Sequence, residues 1–121
     1  MRFLFLIHAD EVEMKARPME DALQCVREGM EYDEFLKQHG HFVASHGLEW
    51  ASQATVLRSQ GGKVVSTDGP FAETKEQLLG FFLVQAKDRE EALSLASRLP
   101  MLASGSTVEV RAIDDLAEEL L

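Results

Sequence analysis

The chain alternates short apolar runs with longer amphipathic stretches. Phe3-Leu4-Phe5-Leu6-Ile7 is an unbroken apolar run that reads as a central strand buried on both faces, ended by His8, Ala9 and Asp10. From Pro18 to His39 helix formers dominate, with Pro18 suited to the first turn and Gly40 just past the end. At the helical period this segment carries two apolar stripes. Met19, Ala22, Leu23, Val26 and Met30 share one face, while Tyr32, Phe35 and Leu36 point roughly the opposite way. One straight surface helix cannot bury both, so the pattern predicts either a break near Gly29 or two covered faces.

Further along, Phe42-Val43-Ala44 reads as a short strand that leads through Ser45-His46-Gly47-Leu48 into a loop carrying Trp50. Thr55 to Ser59 and Lys63 to Thr67 flank Gln60-Gly61-Gly62, the pattern of a β-hairpin whose turn needs positive φ. Leu79 to Ala86 is another apolar strand. Asp88 and Glu91 form a capping box ahead of Ala92, Leu95, Ala96 and Leu99, and Pro100 stops that helix. Thr107 to Arg111 alternates apolar and polar residues as a last strand, and residues 114–121 form a tail able to make an amphipathic turn or two.

This order predicts one α+β domain over residues 1–121, a ferredoxin-like βαββαβ sandwich with an inserted β-hairpin. Two helices cover only one face of such a sheet. The apolar runs Phe3 to Ile7 and Phe81 to Val84 leave the other face greasy, which predicts a homodimer that joins sheet to sheet.

Charge narrows the partners. With 12 Lys and Arg against 21 Asp and Glu, the net charge of −9 repels phosphate backbones and anionic lipid, so neither nucleic acid nor a membrane is expected as a partner. No apolar run approaches the ~20 residues of a membrane span, and no signal-peptide pattern opens the chain, so a cytoplasmic location is expected. The single cysteine, Cys25, allows no internal disulfide and suits a reducing compartment. Phosphate-cradling glycine motifs, nucleophile elbows, zinc signatures and dinucleotide fingerprints are missing, so no cofactor and no metal is expected.

The most distinctive stretch is Asp68-Gly69-Pro70-Phe71-Ala72-Glu73-Thr74-Lys75-Glu76, which crowds turn formers, carboxylates and a lysine into one inter-strand connection. It resembles the defining signature of the DGPF branch of the YCII-related family. Gly80 before an aromatic strand, Glu90-Glu91-Ala92 and Val108-Glu109-Val110-Arg111 also match, so the resemblance runs from about Met1 to Ile113. The resemblance implies a dimeric α+β barrel with a cleft beside the signature loop, an activity not assigned within the branch, and a genomic association with extracytoplasmic-function sigma factors. The wider family carries a histidine and aspartate pair proposed as catalytic. Here Met19 to Cys25 has no histidine and offers only Glu20 and Asp21.

Candidate chemistry gathers on the signature loop. Asp68 and Glu73 beside Lys75 could serve acid–base catalysis on a small organic metabolite, whereas a purely structural role has Asp68-Gly69-Pro70 forming a rigid turn. His8 and Asp10, two apart at a strand end, could share a proton or an ion. Trp50, Tyr32, Phe71 and Phe81 could wall an apolar pocket, with His8, Pro70 and Arg111 as further ligand contacts. Glu109 and Arg111 share a strand face and are expected to pair with each other or across the dimer. His39, His41 and His46 cluster near the end of the first helix, where metal binding is the weaker reading and loop polarity the stronger. The alternative to a ligand-binding dimer is a non-catalytic accessory protein acting through its acidic surface, in a sigma-factor pathway.

Overall fold

The computed structural model describes residues 1–120; the last residue of the tail, Leu121, lies outside them. Six strands and three helices follow in order: β1 (Arg2–Ala9), α1 (Glu11–Ala16), α2 (Met19–Gln38), β2 (Phe42–Gly47), β3 (Thr55–Gln60), β4 (Lys63–Asp68), β5 (Gln77–Gln85), α3 (Arg89–Ala96) and β6 (Thr107–Ala112). Short 3-10 turns span Ala51–Gln53, Pro100–Leu102 and Leu116–Leu120.

The main sheet runs β2-β5-β1-β6, with every neighbouring pair antiparallel. Setting the inserted hairpin aside, this is the strand order of a ferredoxin-like sandwich. β3 and β4 form a separate two-stranded sheet that shares no ladder with the main one. Its reversal uses Gly61 and Gly62 at φ 57° and 80°, the left-handed region that glycine enters without strain.

Strand alternation decides where the core sits. Phe3, Phe5 and Ile7 of β1 point to the helix side with Phe82 and Val84 of β5, and there they meet Tyr32 and Leu36 of α2 and Ala92, Leu95 and Ala96 of α3. Phe3, Phe5, Leu36 and Val84 are fully buried, and each large side chain of this kind contributes roughly 1.5–3 kcal/mol relative to exposure. Leu4, Leu6, Phe81 and Leu83 occupy the other face and remain half-buried, because no helix crosses it in this chain.

Several local expectations change. α2 continues through Gly29 without a break, and only the Tyr32 and Leu36 side is buried. The other stripe stands open: Met19 is 74%, Val26 60% and Met30 64% exposed. No second layer covers this stripe among the described residues, and its Val26 and Met30 border an open cavity beside the sheet. α1 is an element that the strand-ending reading of His8 to Asp10 missed. Asp10 caps it by accepting the Glu13 N–H at 3.2 Å, so Asp10 is turned to the helix and does not share a group with His8. At α3 the capping box forms on one side, Asp88 accepting from the Glu91 N–H at 2.8 Å, while the Glu91 carboxylate accepts from the Lys87 N–H at 3.0 Å.

Candidate functional site

Between the middle of α2 and the β2–β5 side of the sheet lies a cavity of about 670 Å³. That volume is typical of sites for small organic molecules. Cys25, Val26, Gly29, Met30 and Asp33 of α2 form one wall, and Ile7 and the stretch Leu79 to Phe82 lie opposite. The end of β2 and the following Leu48-Glu49-Trp50 form a third side, and Met101, Ser104 and Ser106 close the bottom.

Two glycines keep this space open. A side-chain carbon on Gly80 would stand 2.7 Å from the His46 carbonyl oxygen, closer than real contacts allow, so β2 can approach β5 here only because position 80 is bare. On α2, the methyl of Met101 would lie 3.5 Å from such a carbon on Gly29, so a longer side chain would project toward the cavity floor.

Trp50 is held by α1. Glu11 Oε1 accepts the Ser52 N–H at 3.1 Å, its other oxygen takes the Ser52 hydroxyl, and Lys15 pairs with it at 2.7 Å. The Lys15 hydrogen bond, then that of Ser52, hold the Glu11 carboxyl down at about 2 against an ordinary value of 4.5. The Lys15 ammonium also sits 5.3 Å from the Trp50 ring centre, a cation–π arrangement that fixes the indole's position. Arg17, paired with Glu13 at 2.9 Å, donates to the Ser104 carbonyl at 2.8 Å and so ties α1 to the cavity floor.

The polar groups of the wall are few. Ser45 Oγ donates to Asp33 Oδ1 at 2.8 Å, which joins β2 to α2 in the cavity wall. Asp33 was not among the residues singled out from sequence. Its signal was available, since it is a carboxylate on the same helix as two apolar stripes, but nothing local distinguished it from the other acidic residues of α2.

The residues read from sequence fall in four places. Trp50 lines the cavity; Phe81 borders it from β5, although its place opposite Leu6 puts it on the open sheet face, while Tyr32 belongs to the core, where its hydroxyl donates to the Leu95 carbonyl at 2.7 Å. Burial pushes the Tyr32 phenol up from its ordinary range. His8 and Arg111 lie on the open sheet face. There His8 Nε2 is 3.1 Å from Glu109 Oε1, so Glu109 pairs with His8 and not with Arg111. The reason is register: His8 faces Thr107 and Leu6 faces Glu109 across neighbouring rungs, whereas Arg111 lies opposite Leu4.

The fourth place is the signature loop. Asp68 ends β4 opposite Thr55, and Gly69, at φ 110°, donates to the Ala54 carbonyl at 2.8 Å. Gln77 bridges the loop's far end by donating to the Ala72 and Thr74 carbonyls at 2.7 and 3.1 Å. Asp68, Glu73 and Lys75 are exposed and form no ion pair among the described residues. Phe71 is 79% exposed, with the Arg58 guanidinium 5.7 Å from its ring centre. None of Asp68, Pro70, Phe71, Glu73 or Lys75 lines the cavity of its own chain. Of the clustered histidines, His39 bonds the Phe35 carbonyl and His41 the Gln85 carbonyl. No group of three metal-ligating side chains occurs among the described residues, and no described helix is long and apolar enough to cross a membrane.

Fold and site together define a small α+β protein with a ferredoxin-like sheet and an apolar cavity under one helix. The model of the YCII-related domain matches residues 1–116, and the chain belongs to that family. An uncharacterized protein of Rhizobium meliloti (strain 1021) is 33% identical to it over 99 residues, covering 82% of this chain and 80% of the relative.

Proposed function

We propose that this protein is a homodimer that binds a small organic molecule in the cavity between α2 and the sheet. The observation that carries the reading is the cavity itself, about 670 Å³, walled mainly by apolar side chains with a few polar groups among them. Dimerisation is supported by the half-buried row Leu4, Leu6, Phe81 and Leu83 on the uncovered sheet face, where a second copy would remove apolar surface from water. In this reading His8 and Arg111 belong to the subunit contact. Trp50 touches the ligand.

Acid–base catalysis by Asp68 and Glu73, with Lys75 as their electrostatic partner, extends the same reading. These groups stand outside the cavity wall of their own chain, so that extension requires a second subunit to bring its Pro70-Phe71 loop to the opening. A thermal-shift screen of metabolites on the wild type, Gly29→Leu and Asp68→Asn tests the proposal. Ligands should stabilise the wild type and lose their effect in Gly29→Leu, whose side chain enters the cavity. Equal shifts in that variant, or no shift with any metabolite, would overturn cavity binding. Unchanged ligand shifts with a lowered melting temperature in Asp68→Asn would leave the loop a structural role alone.

A further inference from the structure

We infer that the cavity takes an aromatic molecule bearing an amine, with the ammonium set against Asp33, and discriminates against carboxylates and phosphates. The inference rests on the cavity-binding reading above and names the chemical class of its ligand.

The body of the ligand follows from the apolar wall. Met14, Met30 and Met101, three of the chain's five methionines, line the space together with Trp50 and Leu79. Thioethers are polarizable and flexible, and they make favourable contacts with aromatic rings, as does an indole face. Such a wall suits a flat, unsaturated body better than a polyhydroxylated one, whose hydroxyls would be stripped of water without partners.

The charge of the ligand follows from what stands around that wall. The lining holds two carboxylates, Asp33 and Glu49, and no lysine or arginine among the described residues; His46 and Cys25 are its other titratable side chains. Two cations that touch lining residues are already engaged. Lys15 is tied to Glu11, and Arg17 to Glu13 and the Ser104 carbonyl. An anion entering the cavity would be desolvated beside two negative groups with no lysine or arginine on the wall to offset them, whereas an ammonium gains a charge-assisted hydrogen bond.

Asp33 is prepared for that role. It is half-buried, and the Ser45 hydroxyl occupies Oδ1, fixing the carboxylate while Oδ2 makes no protein hydrogen bond among the described residues. The net charge of −9 adds a long-range bias that draws cations toward the protein and repels anions.

Trp50 is the only tryptophan in the chain and stands on the wall, so its fluorescence reports occupancy directly. The test titrates the wild type with 4-tert-butylbenzylamine, 4-tert-butylbenzyl alcohol and 4-tert-butylbenzoate, which share one body and differ in charge, following Trp50 emission and calorimetric heat. The amine should bind about tenfold or more tighter than the benzoate, the scale of one charge-assisted hydrogen bond, with the alcohol between them. Asp33→Asn should remove most of the amine's advantage over the alcohol and leave the alcohol's affinity unchanged. Glu49→Gln, at an exposed position where folding is not at stake, should weaken the same preference in part.

Benzoate binding as tightly as the amine, with Trp50 responding, would overturn the ligand class and leave cavity binding standing. An amine preference untouched by both Asp33→Asn and Glu49→Gln would overturn the assignment of the ammonium to this wall. No response of Trp50 and no heat with any of the three would overturn the cavity reading and the ligand class together.

Discussion

Ser45 and Asp33 meet at 2.8 Å, and this hydrogen bond joins the edge strand β2 to helix α2 in the wall of the cavity. Both groups are partly buried, so removing one leaves the other poorly paired. Ser45→Ala should lower stability by about 1 kcal/mol, which for a domain of this size is a fall in melting temperature of roughly 3–5 °C. Chemical denaturation should show a lower midpoint with an unchanged slope.

Leu36 is fully buried where α2 rests on the sheet. Leu36→Ala should cost about 2–5 kcal/mol through lost burial and the void left behind, whereas Leu23→Ala on the exposed stripe should stay within about 0.5 kcal/mol in an isolated subunit. A large loss at Leu23 in the dimer at high concentration, and none on dilution, would place that stripe at a subunit contact.

Tyr32 is the only tyrosine, buried, with its hydroxyl given to the Leu95 carbonyl. Burial disfavours the phenolate, so the folded pKa is raised above the ordinary value of 10.0. The contribution to stability is therefore complete below pH 10 and is lost as the pH climbs above it, because the unfolded chain then releases a proton that the folded one retains. Ultraviolet titration should show tyrosinate appearing only together with unfolding. A phenolate signal in fully folded protein near pH 10 would contradict the buried hydrogen bond.

Glu11 has the opposite sign. Its carboxyl is held at about 2 by Lys15 and Ser52, below the ordinary 4.5, so its stabilising effect is present above pH 4.5 and fades as the pH falls toward 2. Glu11→Gln should melt lower than the wild type at neutral pH, and the gap should narrow in acid. Because Glu11 holds the turn that carries Trp50, the variant should also shift the emission of that tryptophan.

The fold was readable because its determinants are local and periodic. The run Phe3 to Ile7, the glycine turn at 61 and 62, and the Asp88 cap each specify one element, and the order of elements leaves few sheet topologies open. The helix α1 escaped because six residues carry no apolar period; only Asp10 with Glu13 and the Glu11 to Lys15 spacing mark it. The cavity was legible in part. Trp50 could be picked out as a rare residue in a loop, but Asp33 is one carboxylate among several on α2. Its meeting with Ser45 depends on how far β2 closes on the helix, a tertiary distance that no sequence spacing encodes. The signature loop was conspicuous for the converse reason: its unusual composition stands out in the sequence, Gly69 within it takes a positive φ, and its charged members are exposed in a single chain.

The hairpin of β3 and β4 has a dynamic consequence. A two-stranded ribbon outside the main sheet has no central strand protected on both sides and is marginal by itself. Its amide protons should therefore exchange through local fraying orders of magnitude before those of β1 and β5, and a protease should nick the Gly61-Gly62 tip while the rest of the molecule stays intact. Protection of that tip, appearing only when two chains associate or a ligand arrives, would be the earliest solution signal that the protein has reached its working form.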